Sequence, residues 1–191
     1  MATATRRMHY AYSEYTALEV DSSIRHEYLD GEIYAMAGGS PDHAALAAAI
    51  IRVLGAELAA NCRAFTSDLR VRIAATGLST YPDVSVICGR TERAQDDPLA
   101  VTNPSLLVEI TSPSTEDYDR GEKLRHYQQL TSVREILIVS HRGPHLALHR
   151  REGSGWVTLE ASAGERLELA SVGVTLAVDA VYRDGLEDVT A

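Results

Sequence analysis

Hydrophobic residues recur along this chain in two rhythms, and the switches between them mark out its elements. From Ala44 to Ala60 the residues are apolar nearly all round a helix, with only Arg52 and Glu57 charged. Ser40 stands as the N-cap and Pro41 at the first helical position, so a helix starts there. An all-round apolar helix is expected to be buried, and its alanines would let it approach a sheet closely. Elsewhere the rhythm has a period of two. The runs either side of Asp30-Gly31, within Ile24 to Met36, predict a hairpin with a type I′ turn, since both central positions need positive φ. In that register Glu27, Leu29, Glu32 and Tyr34 share one face.

Cys62 to Ile73 reads as one strand, with Leu69, Val71 and Ile73 on one side and Asp68, Arg70 and Arg72 on the other. The turn Thr76-Gly77-Leu78-Ser79 leads into a strand over Tyr81 to Cys88. Residues 89–104 are polar and proline-containing and read as a surface loop. Ser105 to Ile110 is a short β-branched-rich run of the mid-sheet kind. Ser114 with Asp117 resembles a capping box that starts a helix to about Leu130, and Glu135 to Ser140 gives a further strand. Beyond it, His145–His149, Trp156–Glu160, Glu165–Leu169 and Val174–Val178 alternate and predict an antiparallel appendage. Residues 1–12 look frayed, and Ser13 would cap a short helix through Glu19. The order is α/β or α+β.

Composition narrows the class. A chain of 191 residues, 45% apolar and 24% charged, fits one globular domain spanning 1–191, with an ordered core over about 13–182. Cys62 and Cys88 lack zinc-site spacing, so buried reduced thiols in a reducing compartment are the simplest reading. The N-terminus has no apolar segment behind its arginines, and no run is long enough to span a bilayer, so the expected placement is cytoplasmic. A net charge of −9 argues against a protein that coats nucleic acid non-specifically, without excluding a nuclease.

Candidate chemistry collects between Tyr81 and Lys123. Asp83 follows Tyr81-Pro82 at the start of an apolar strand, where a turn residue is the plain alternative. Glu109 interrupts Leu106-Leu107-Val108 and Ile110, where an ionised carboxylate is costly unless paired or metal-bound. Lys123 lies one helical turn from Asp119 and from Tyr127; it is either half of a surface ion pair or a cation aimed at both acids. His43 in the first turn of the core helix reads as a capping or core histidine and, more weakly, as a site residue. Glu27 and Glu32 of the hairpin are weaker sources of a further acid. Walker, GxGxxG, HExxH and GxSxG motifs are absent.

Four stretches occur in order: Tyr28-Leu29-Asp30-Gly31-Glu32; Pro82-Asp83; Val108-Glu109-Ile110 followed by Ser112-Pro113-Ser114-Thr115; and Tyr118-Asp119-Arg120 with Lys123 and Tyr127. Together they resemble the Uma2 family of endonucleases, over about Tyr15 to Val181. That family is similar to the restriction-endonuclease-like, PD-(D/E)XK nucleases. The resemblance implies a restriction-endonuclease-like core: a central mixed β-sheet flanked by helices, with the N-terminal hairpin and extra C-terminal antiparallel strands. It implies Asp83 and Glu109 as ligands of Mg²⁺ (or Mn²⁺), and Lys123 as the catalytic lysine. Thr111 stands two residues after Glu109, where the wider superfamily carries that lysine.

The expected function is metal-dependent hydrolysis of phosphodiester bonds in nucleic acid, with DNA as substrate, no membrane partner, and a homodimer as the arrangement that would serve two strands. The alternative is a catalytically inactive binding or assembly protein on the same fold, which the net charge and displaced lysine favour. A hydrolase of smaller phosphoesters is a third reading.

Overall fold

The computed structural model describes residues 9–36 and 38–183. Helix α1 (Tyr12–Asp21) leads into β1 (His26–Leu29) and β2 (Glu32–Ala35), which pair antiparallel with Leu29 opposite Glu32 and Glu27 opposite Tyr34. Asp30 at φ 43° and Gly31 at φ 95° form the turn, as Asp-Gly predicts. The start of the chain departs from expectation. Tyr10 donates its N–H to the Gly31 carbonyl, so residues 9–12 are not frayed. Ser13 is not the cap either; Glu14 reaches back to accept the Ala11 N–H at 2.6 Å. The rest of the segment expected to fray, residues 1–8, lies outside the described residues.

Helix α2 (Pro41–Glu57) begins as predicted, with the Ser40 side chain accepting the His43 N–H. One face, Leu46, Ala49, Ile50, Val53 and Leu54, is buried, while Ala44 and Ala48 are exposed. Part of its apolar surface is therefore left uncovered by the core.

The run Cys62 to Ile73 is two strands in different sheets. β3 (Cys62–Thr66) ends in a turn at Ser67-Asp68, and β4 (Arg70–Ile73) begins the second. β4 is buried on both faces, Arg70 and Arg72 included; Arg70 pairs with the buried Asp97, and Arg72 with the exposed Asp96. Likewise β5 (Leu78–Thr80) and β6 (Val84–Cys88) lie in different sheets, with Tyr81-Pro82-Asp83 as the crossing. Proline fits there because a crossing segment has no ladder hydrogen bond to donate. The loop 89–104 carries β7 (Ala100–Val101), parallel to β4, and a buried Asp97, so it is more than surface.

β8 (Leu106–Ile110) lies mid-sheet, antiparallel to β6 and parallel to β9 (Glu135–Val139). The helix between them has α-turns at each end, α3 (Glu116–Tyr118) and α4 (Leu124–Tyr127), joined by a π-helical turn over Asp119–Lys123. It starts at Thr115, whose N–H is taken by Ser112 Oγ, and not from a Ser114/Asp117 box. β10 (His145–Glu152) and β11 (Gly155–Ser162) extend the central sheet, giving the mixed order β11-β10-β9-β8-β6-β3. β12 (Arg166–Leu169) and β13 (Val174–Ala177) form a separate ribbon, followed by a short helix α5 (Val178–Tyr182) that the pattern did not predict. The other sheet runs β2-β1-β5-β4-β7. No helix among the described residues is long and apolar enough to cross a membrane.

Alternation along β8 sorts its side chains between two cores. Leu106, Val108 and Ile110 pack toward α2 and α5. Leu107 faces the other way, with Leu124, Tyr127, Ile136 and Ile138, and Glu109 shares that side. At the far end of β6, Cys62 and Cys88 are register partners joined by a disulfide. The expectation of two reduced thiols does not hold, nor does the compartment argument drawn from them.

Candidate active site

Each component of the site is placed by a local feature of the chain. Asp83 ends the Tyr81-Pro82-Asp83 crossing and leans onto the next strand, where its Oδ2 accepts the Ile110 N–H at 2.7 Å. That bond ties the crossing to the end of β8, one residue from Glu109. His43, in the first turn of α2, brings Nε2 within 3.2 Å of the same Oδ2. Gly39 makes room for the ring: a Cβ there would come within 2.7 Å of His43 Nδ1.

Glu109 is buried, and its Oε1 accepts the Tyr127 hydroxyl and lies 3.0 Å from Lys123 Nζ. Lys123 is 5% exposed, so it is no surface residue. Its ammonium also lies 3.1 Å from Glu27 Oε1 and 3.8 Å from Asp119 Oδ1. Asp119 is itself buried, which rules out the solvent-exposed pair. The π-helical turn spans Asp119 to Lys123, and such departures from regularity are frequent at functional sites.

Asp83, His43, Glu109, Lys123, Glu27 and Asp119 line one cleft of about 500 Å³, together with Tyr118, Tyr34 and the Ser112–Thr115 loop. Of the residues predicted from sequence, Asp83, Glu109, Lys123 and His43 all line it; Glu32 does not. The hairpin's contribution is Glu27, held also by the Thr80 hydroxyl. Glu27 is one of the two hairpin acids the sequence offered; Asp119 and Tyr127 are the residues that sequence reasoning did not count in the site. Their spacing of four from Lys123 was visible, and it put all three on one helix face.

Electrostatics follow from burial and crowding. Desolvation pushes the Glu109 carboxyl well above its ordinary value; Lys123 pulls it down, and Asp83 and Asp119 push it up again. Burial alone would lower the Lys123 ammonium, but Glu109, Tyr127, Glu27 and Asp119 hold it well above its usual range. It stays a cation. Asp119 is raised, mainly by burial. His43 is raised, chiefly by its hydrogen bond to Asp83 against the opposing effect of burial.

The donor set favours a hard divalent ion. Four carboxylates, Glu27, Asp83, Glu109 and Asp119, face one ammonium and one imidazole, an excess of oxygen-borne negative charge. The bonds that reach Asp83 fall on Oδ2, and those that reach Glu109 and Glu27 fall on Oε1. Among the described residues no three His, Cys, Asp or Glu side chains form a metal cage of their own.

The solved structure of a putative nuclease belonging to DUF820 from Anabaena variabilis has the same fold, with a TM-score of 0.67 and 18% identity over 86% of this chain and 93% of that one. The chain belongs to the Uma2 family, whose model, described as "Putative restriction endonuclease", matches residues 12–179. Two proteins of Synechocystis sp. are similar along nearly their whole length. The uncharacterized protein slr1290 is 39% identical over 172 residues, 89% of this chain and 90% of its own. The uncharacterized protein sll1609 is 30% identical over 170 residues, 88% and 96% respectively.

Proposed function

We propose that this protein is a metal-dependent endonuclease that hydrolyses phosphodiester bonds in DNA, with Asp83 and Glu109 as ligands of Mg²⁺ (or Mn²⁺) and Lys123 as the catalytic cation. The observation that carries the reading is the buried Lys123 ammonium, 3.0 Å from Glu109 Oε1 in the cleft that Asp83 also lines. A bound divalent ion would lower the pKa of a water and polarise the phosphoryl oxygens. Asp83 and Glu109 would hold that ion through the oxygens their protein bonds leave over. Lys123, kept charged by its acidic neighbours, is unsuited to accept a proton. Its work is to orient the attacking water and to offset the negative charge that builds on the phosphoryl group as the phosphorus–oxygen bond breaks. Tyr127 and Glu27 position Glu109 and Lys123 through the bonds described above.

The family description and the solved nuclease of the same fold support this reading. One observation favours the alternative of an inactive nuclease-fold binding protein: Lys123 is engaged by Glu109, Glu27 and Asp119 together. Purified protein incubated with plasmid, linear and single-stranded DNA, with Mg²⁺ or Mn²⁺, separates the two. Cleavage is expected in wild type and is lost to background in Asp83→Ala and in Glu109→Ala. Wild type that cuts nothing and shows no divalent-ion binding by calorimetry decides for the binding protein; cleavage that survives Asp83→Ala removes the site assignment.

A further inference from the structure

The central sheet ends on β11, and that end differs from the other edges of the two larger sheets. Their outer strands β2, β3 and β7 are four, five and two residues long, whereas β11 has eight. Short strands, lysines, prolines and bulges are the usual means of keeping an edge from pairing with another chain. β11 uses none of them. Gly155–Ser162 holds no proline or lysine, and it pairs with β10 without a break, from Glu152 opposite Gly155 to His145 opposite Ser162. Nor does the β12–β13 ribbon cover the edge. Leu167 and Leu169 of β12 pack beneath the sheet with Leu146 and Leu148, and Arg150 reaches the Glu168 carbonyl there.

The ladder fixes which backbone groups point outward. The Arg151 N–H goes to the Arg134 carbonyl, and the His145 carbonyl accepts the Ser140 N–H. Odd-numbered residues of β10 therefore bond toward β9, and even-numbered ones toward β11. Their partners in β11 are Gly155, Val157, Leu159 and Ala161. Trp156, Thr158 and Glu160 thus turn N–H and C=O away from the sheet, where no described residue bonds them; Thr158 and Glu160 are exposed. At the next outward position Ser162 is already used, its N–H by the Glu165 carboxylate and its carbonyl by the Glu165 N–H. The open edge is centred on Thr158. An antiparallel second copy set with Thr158 opposite its own twin pairs all three residues at once. In that register Val157 meets Leu159 of the second copy, and Leu159 is 37% exposed in the single chain. Trp156 meets Glu160 of the second copy. The Arg151 guanidinium stands 4.4 Å from the Trp156 ring centre, so each carboxylate arrives beside a fixed cation, twice by symmetry. Glu160 already lies on that face, 3.8 Å from His145 of its own chain. We propose that β11 is the interface of a twofold-symmetric homodimer in which two copies join their central sheets edge to edge.

The test reads oligomeric state and register separately. Sedimentation equilibrium of the full chain over a concentration series is expected to give the mass of two chains. Thr158→Pro removes the central outward N–H from both copies and puts a ring in the way. It should weaken the dimer about a hundredfold, and edge strands accept proline at such a position. Thr158→Cys decides the matter if the proline variant fails to fold. Twin residues would face each other across the twofold axis at a separation a disulfide can span, so mild oxidation should join two chains. Cys62 and Cys88 are already paired with each other and do not compete. Glu160→Cys, which faces Trp156 and not its twin, should stay uncrosslinked. Wild type that is monomeric at every concentration overturns the proposal and leaves the edge to a strand of another protein. A dimer that a folded Thr158→Pro variant leaves intact, no crosslink in Thr158→Cys, or equal crosslinking at positions 158 and 160 also overturns it. None of these readouts involves cleavage, so the pairing and the nuclease reading stand or fall separately.

Discussion

Two buried ionic clusters sit on either side of the Tyr81-Pro82-Asp83 crossing, and they are built on opposite plans. In the first, Arg70 donates from Nη2 to Asp97 Oδ1 at 3.0 Å, and its Nε lies 2.8 Å from Oδ2 as an ion-pair contact without hydrogen-bond geometry. Tyr12 and the Leu99 N–H supply further bonds, one to each oxygen. Glu19 accepts from the His26 N–H and ring on Oε1 and from Tyr81 on Oε2. Every carboxylate oxygen there has a donor inside the protein. In the second cluster, the donors to Asp83, Glu109 and Glu27 crowd onto one oxygen of each, and the acids outnumber the cations. Burial alone does not separate structural charge from chemical charge. What separates them is whether the protein uses up the carboxylates or holds them by one arm beside a cleft.

Substitutions should therefore split the clusters by the kind of loss they cause. Asp97→Ala leaves Arg70 buried without its ion-pair partner, and breaking such a pair costs about 3–5 kcal/mol. Urea unfolding should show that loss directly, whatever the divalent ion present. A loss below about 1 kcal/mol would mean that water or Glu19 replaces Asp97, and that the first cluster is not closed. In the second cluster the large effect falls on function instead. Lys123→Met should lower the rate of DNA cleavage by about 10²- to 10³-fold, the usual cost of one preorganised charge partner. Its melting temperature should fall as well, because Glu109, Glu27 and Asp119 lose their shared cation, so cleavage is compared at a temperature where both proteins are folded. Near-normal cleavage in that variant would reduce Lys123 to a neutralising partner of Glu109.

The contrast also explains what could be read from sequence. The hairpin, α2, the mid-sheet strand at 106–110 and the C-terminal strands were legible because each follows a local rule: a turn dipeptide, a cap, an alternation. Asp83 and Glu109 stood out because a carboxylate in or beside an apolar run breaks such a rule. The arginine cluster was not legible. Alternation puts Arg70 and Arg72 on a polar face, and a polar face reads as solvent; the acids that pair with them, the buried Asp97 and the exposed Asp96, come from a loop more than 20 residues on. Tyr12, 3.8 Å from the Arg72 guanidinium, lies in a stretch that looked frayed. The breaks at Ser67-Asp68 and Tyr81–Asp83 were hidden for a related reason. Ser67-Asp68 sits inside one strand-like run, and Leu78-Ser79, expected in a turn, belongs to β5; only tertiary pairing tells that β3 and β4, and β5 and β6, lie in different sheets.

The smallest expected effect is the most direct probe of the second cluster, because it reverses the usual sense of a mutation. Burial raises the folded-state pKa of Glu109 well above the ordinary 4.5. An acid raised in this way holds its proton in the folded protein while the unfolded chain releases it, so stability falls as pH climbs above the unfolded value. Glu109→Gln keeps the shape and removes the titration. Without divalent ions, variant and wild type should melt together near pH 4, and the variant should melt higher as pH rises, by a few degrees at neutrality. His43 is raised as well, and its contribution fades in the same direction. It adds stability that is complete below about 6.5 and is lost as pH rises through the folded value. His43→Gln should therefore lower the melting temperature at pH 6 more than at pH 9. Added Mg²⁺ should stabilise wild type and leave Glu109→Gln unmoved, closing or inverting the gap between them. A Glu109→Gln variant that melts lower than wild type at every pH would show that Lys123 needs Glu109 more than crowding costs it. The second cluster would then be structural, like the first.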